Sequence, residues 1–144
     1  MVNDDTIKLL RECNSGIKMG VSSIDEVIDK VKNRNLQSIL AQSRREHNKL
    51  GSETRRILND YSDSGKEPSP ILKGMSWMKT NLKLSVESSD RAVADLMTDG
   101  CNMGVKSLSK YLNQYAAAEE KVKDVAKRLI KLEEKLSVDM RGYL

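Results

Sequence analysis

A six-residue pattern occurs twice in the chain. Cys13-Asn14-Ser15-Gly16-Ile17-Lys18 returns as Cys101-Asn102-Met103-Gly104-Val105-Lys106, and these copies hold both cysteines. The offset of 88 positions is more than half of the 144 residues. Such a period is too long for a short tandem array and suits a duplicated two-helix unit. A second pair of segments has nearly the same offset. Lys49-Leu50-Gly51-Ser52-Glu53 through Leu58 can be laid on Lys135-Leu136-Ser137-Val138-Asp139 through Leu144, with Lys, Leu, a small residue, an acid, Arg and the last Leu in agreement. Two helical hairpins related by a pseudo-twofold are the expected result, with the cysteine copies facing each other at mid-bundle.

Apolar spacing locates the helices. Ile7, Leu10, Ile17, Val21, Ile24, Ile28 and Val31 step by threes and fours, as one inward helical stripe requires. Asp4, Asp5 and Thr6 offer N-caps, and this helix is expected over 5–33. The second, over 35–61, carries Leu36, Leu40, Ser43, His47, Leu50, Thr54, Ile57 and Tyr61, so its middle is polar where a core normally has Leu or Val. Residues 60–70 hold both prolines and read as a loop. A shorter helix over 71–86 follows, with Ile71, Met75, Met78 and Leu82 in step beside Trp77. It is expected to pack on the bundle, with a partner-binding face as the alternative. Helices over 89–115 (Ala94, Met97, Cys101, Val105, Leu108, Leu112, Tyr115 inward) and 118–144 (Val122, Val125, Leu129, Leu132, Leu136, Met140, Tyr143 inward) complete the set. Four helices of matched length favour a four-helix bundle, one all-α domain over 1–144, with a long crossover between helices two and three.

Composition narrows the function classes. Net charge is +4, yet Lys and Arg alternate with Asp and Glu, and aromatic residues make up only 3%. A nucleic-acid groove needs clustered cations and stacking rings, so no nucleic-acid partner is expected. No run approaches the roughly 20 apolar residues of a membrane span. Met1-Val2-Asn3-Asp4-Asp5 has no signal-peptide character. Two cysteines make no disulfide framework. The expectation is a cytoplasmic protein with reduced thiols.

Two helical hairpins joined by a long crossover resemble the ferritin-like superfamily, which includes rubrerythrin-type proteins. Asn14 to Ser22, Gly74-Met75-Ser76-Trp77-Met78-Lys79, and Asp99-Gly100-Cys101-Asn102 leading to Tyr111-Leu112 are similar to a bacterial branch of that superfamily whose function is uncharacterised. The resemblance implies the up-down bundle and its crossover. It also implies where a di-metal centre would lie.

A ferritin-like di-iron site takes a Glu from each of two helices and Glu-x-x-His from each of the other two. This chain has no Glu-x-x-His, and its single histidine, His47, directly follows Glu46. Cys13 with Asn14, and Cys101 with Asn102, stand where such a protein needs carboxylates. Glu46, His47, Glu133 and Glu134 are the residues that would form a degenerate site if any metal bound. No metal or other cofactor is expected.

The cysteines read as small buried hydrophobes, with a redox bridge between Cys13 and Cys101, or soft-metal capture with Met19 or Met103, as alternatives. Asn14 and Asn102 are expected to hydrogen-bond across the pseudo-twofold. Gly16, Gly20, Gly100 and Gly104 are expected to let backbones pack closely. No phosphate loop, Cys-x-x-Cys or nucleophile elbow is present. The sequence therefore reads as a non-catalytic binding, structural or interaction module that works through a protein partner or as a homodimer. A divergent metal-dependent oxidoreductase and a thiol switch are the rivals.

Overall fold

The computed structural model describes residues 3–61, 63 and 89–144. Four helices pack together: α1 Asp4–Val27, α2 Arg34–Asp60, α3 Asp90–Gln114 and α4 Glu120–Met140. At about 1.5 Å per residue each is roughly 30–40 Å long. Among the described residues there is no strand. The crossover, the expected helix over 71–86, and Met75, Trp77 and Met78 lie outside the described residues.

The helix ends depart slightly from expectation, for reasons that lie in the caps. Asn3, not Asp4, Asp5 or Thr6, caps α1, its side chain accepting from the Thr6 N–H at 2.9 Å. Thr6 is buried and its hydroxyl accepts from the Glu119 N–H, while the Asp5 carboxylate accepts from the Ala117 N–H. The first helix stops at Val27, continues as a single 3-10 turn over Ile28–Lys30, and does not reach Asn33. Asn33 is instead the cap of α2, accepting from the N–H groups of Asn35 and Leu36. Asp90, in the first turn of α3, takes the backbone N–H groups of Lys32 and Asn33, each at 2.9 Å. One carboxylate thereby satisfies the turn between α1 and α2 and ties it to α3. The last helix runs from Glu120 to Met140, closed by a 3-10 turn over Arg141–Tyr143, rather than over 118–144.

These ties fix the helix directions. Tyr61, at the end of α2, donates its hydroxyl to Glu119 at the start of α4, at 2.6 Å. Arg11, near the start of α1, grips Asp63 through two nitrogens at 2.6 and 3.2 Å. The start of α1, the end of α2 and the start of α4 thus share one end of the bundle. The end of α1 and the start of α3 share the other. Helices α1 and α4 run one way, α2 and α3 the opposite way.

The core divides into two apolar clusters. Leu9, Leu10, Ile17, Leu50, Val125 and Leu129 belong to the first, and Ile24, Val27, Leu40, Val93, Leu136 and Met140 to the second. Between them, every helix contributes a polar or small residue. On α2 the break falls between Leu40 and Leu50, and on α4 between Leu129 and Leu136. That interruption holds the candidate site.

Candidate functional site

The polar middle of α2 faces inward because Leu36, Leu40, Ser43, His47, Leu50 and Thr54 form one continuous helical stripe. His47 is completely buried. On α4 the inward position between Leu129 and Leu136 belongs to Glu133, which is 9% exposed, while Leu132 is only half-buried. His47 Nε2 lies 3.0 Å from Glu133 Oε1, and the two residues are 86 positions apart, the offset of the Lys49 and Lys135 segments.

The hydrogen bonds fix the protons. His47 Nδ1 lies 2.8 Å from the Ser43 carbonyl oxygen, a group that only accepts, so Nδ1 carries a hydrogen. The Nε2···Oε1 contact then holds one more proton. Burial works to lower the His47 pKa. The hydrogen bond and charge of Glu133, the Ser43 carbonyl and the Glu46 charge outweigh it, and the net direction is up. One proton is therefore shared across the buried contact, and the surroundings of His47 favour its place on the imidazole.

The other two helices close around this pair. A Cβ at Gly20 of α1 would lie 2.8 Å from His47 Cδ2 and 2.9 Å from Nε2, so only glycine fits beside the ring. Gly104 of α3 lies against Glu133, where a Cβ would be 3.6 Å from Oε2. Cys101, also on α3, is hydrogen-bonded to Glu133. Burial first, then the Glu133 charge and that bond, push its thiol pKa well up. Cys13 is raised to about 12, mainly by burial with the Glu12 charge adding to it. Both thiols are free and buried, and both are held in the unreactive protonated form.

The remaining sequence candidates are dispersed. Cys13 belongs to one apolar cluster and Cys101 to the other, so the two thiols are not packed together, although Gly16 of the first hexapeptide and Gly104 of the second line one cleft. The expected Asn14–Asn102 bond is likewise absent, because Asn14 is buried and Asn102 is exposed. At Gly16 a Cβ would lie 3.4 Å from the Leu129 side chain, an ordinary contact rather than a close approach of two backbones. Glu46 points away from the pair, accepting from Gln42 and lying 3.7 Å from Lys135, and Glu134 is exposed. Of Glu46, His47, Glu133 and Glu134, the fold brings together only His47 and Glu133. Among the described residues no group of three or more His, Cys, Asp or Glu side chains could hold a metal ion.

A cleft of about 90 Å³ opens between α1 and α3 and reaches Glu133. Gly16 and Gly20 line it from α1, Gly100 and Gly104 from α3. Met19, Met97, Met103 and Cys101 surround it with sulfur. Sequence reasoning did not find this cleft. Its signal was the pair of Gly-x-x-x-G spacings, read there as close packing alone.

The fold has a solved counterpart. It is similar to a DUF305 fragment from Deinococcus radiodurans, with a TM-score of 0.75 at 12% identity, over 98% of this chain and 95% of that one. At that identity the likeness carries the fold and nothing further. No family model matches the chain, and no curated protein matches it. No helix among the described residues is long and apolar enough to cross a membrane.

Proposed function

We propose that this chain is a ferritin-like bundle whose mid-plane serves structure rather than metal chemistry, and that it acts as a non-catalytic binding module. The observation that carries this reading is the His47–Glu133 pair. Its imidazole has both nitrogens committed, one to a backbone carbonyl and one to the carboxylate. A metal ligand must offer a deprotonated nitrogen, so coordination by His47 would require breaking one of these buried bonds.

The helix directions support the ferritin-like connectivity. Helix α2 ends at one end of the bundle and α3 starts at the other, as a long crossover between two hairpins requires. The 86-residue separation of His47 and Glu133 supports the internal duplication, because residues on a twofold axis meet their own equivalents. With a spent histidine and two protonated thiols, the reading assigns the chain to binding, through a second copy of itself or another protein.

The test is anaerobic loading with Fe(II) or Mn(II), desalting and elemental analysis. The reading expects well under one metal per chain. Two tightly held metals per chain would overturn it in favour of a divergent oxidoreductase.

A further inference from the structure

We propose that the cleft between α1 and α3 binds one small, planar, uncharged azole-type ring, whose ring N–H is donated to Glu133. This rests on the binding-module reading and names a site and a ligand class for it. The cleft volume of about 90 Å³ is on the scale of a single ring, since an engineered cavity of roughly 150 Å³ accepts benzene. Exposed Met103 lines it, so a ring need not be wholly enclosed.

The shape of the walls favours a flat guest. Gly16 and Gly20 on one side and Gly100 and Gly104 on the other present backbone without side chains. Met19, Met97 and Met103 bring thioethers to the same space, and thioether sulfur packs favourably at the edges of aromatic rings.

Charge selects the guest further. Among the described lining residues Glu133 is the only charged one, so nothing there would balance an anion. A cation would meet a His47–Glu133 pair that shares one proton and has no net charge left to balance it. A neutral N–H donor has neither problem. Glu133 Oε1 is engaged by His47, while Oε2 lies beside Gly104 of the cleft wall; the Cys101 thiol also meets this carboxylate, whose oxygens can each accept more than one hydrogen bond.

A second polar handle points the same way. Ser23 lines the cleft, is 3% exposed, and its hydroxyl has no hydrogen-bond partner. A buried hydroxyl without a partner is costly unless something pairs with it. The unprotonated nitrogen of an azole can accept from it while the ring N–H serves Glu133.

The experiment titrates the full chain with pyrazole and follows backbone amide NMR signals, using Gly16, Gly20, Gly100 and Gly104 as reporters. Saturable shifts confined to the cleft are expected. 1-Methylpyrazole, which lacks the donor, should bind at least tenfold more weakly, and Ser23→Ala should weaken pyrazole several-fold without altering the rest of the spectrum. The absence of saturable shifts up to the solubility limit, or equal binding of the two probes, would overturn the proposal. A response to silver(I) but not to pyrazole would do so too, by assigning the methionine sulfurs to a soft cation. None of these outcomes touches the non-catalytic reading, which is decided by metal loading.

Discussion

Gly20→Ala should change the sign of its effect depending on whether His47 is present. In an exposed helix the substitution would stabilise by about 1 kcal/mol, because glycine is the poorer helix former. Here the new Cβ would lie 2.8–2.9 Å from the His47 ring. The ring has no easy retreat, being held at 2.8 Å by the Ser43 carbonyl and at 3.0 Å by Glu133. Overpacking of this kind costs about 1–3 kcal/mol, so the net effect in the native chain is a loss of up to about 2 kcal/mol. In a background carrying His47→Ala with Glu133→Gln the ring is gone. The clash disappears, and Gly20→Ala should stabilise by about 1 kcal/mol. Urea unfolding of the four proteins measures the difference. With a slope of about 2 kcal/mol per molar, a coupling of 1–3 kcal/mol moves the midpoint by about 0.5–1.5 M. Independent sites add to within about 0.5 kcal/mol. If Gly20→Ala has the same effect in both backgrounds, the close approach of α1 to the histidine ring is refuted.

Other consequences follow from the same geometry. The His47 pKa is raised on folding, so the pair's contribution to stability is complete below about pH 6.5, the unfolded histidine value. It is lost as pH rises through the folded pKa. Urea midpoints between pH 6 and 9 should therefore fall with pH in the native chain and show a flatter profile in His47→Ala with Glu133→Gln. Asp90→Ala removes the acceptor of two backbone N–H groups and should cost about 1–3 kcal/mol, read as a lower urea midpoint with the slope unchanged. Neither Cys13 nor Cys101 should react with a thiol reagent under native conditions, since burial lifts both thiols. Both should react at the rate of global unfolding, and fast labelling of either in the folded chain would contradict the burial.

Much of the fold was legible because it rests on periodicity. The α1, α2 and α4 stripes needed only the positions of Leu, Ile, Val and Met, and the polar middle of α2 already marked where the core is interrupted. The site was less legible because a stripe does not say which of two adjacent residues turns inward. On α4 both Leu132 and Glu133 fit between Leu129 and Leu136, and hydrophobicity favours Leu132. The choice falls to Glu133 because His47, on the neighbouring helix, needs a buried acceptor. That is a tertiary requirement, carried by a residue 86 positions away. The hexapeptide was a partial guide. Its Gly16 and Gly104 line one cleft, whereas Cys13 and Cys101 pack in different apolar clusters, a difference that their sequence similarity does not carry.

The account depends most on the state of one side chain, and the chain contains a single histidine, so its ring signals need no assignment by mutation. Nitrogen-15 NMR of the His47 imidazole across pH, with and without stoichiometric Mn(II), reads that state directly. The account predicts a hydrogen on Nδ1 across the range, a ring titration above the ordinary value of about 6.5, and no selective broadening by the metal. A titration at or below that value, an Nδ1 without its hydrogen, or a ring whose signal vanishes when Mn(II) is added would contradict it.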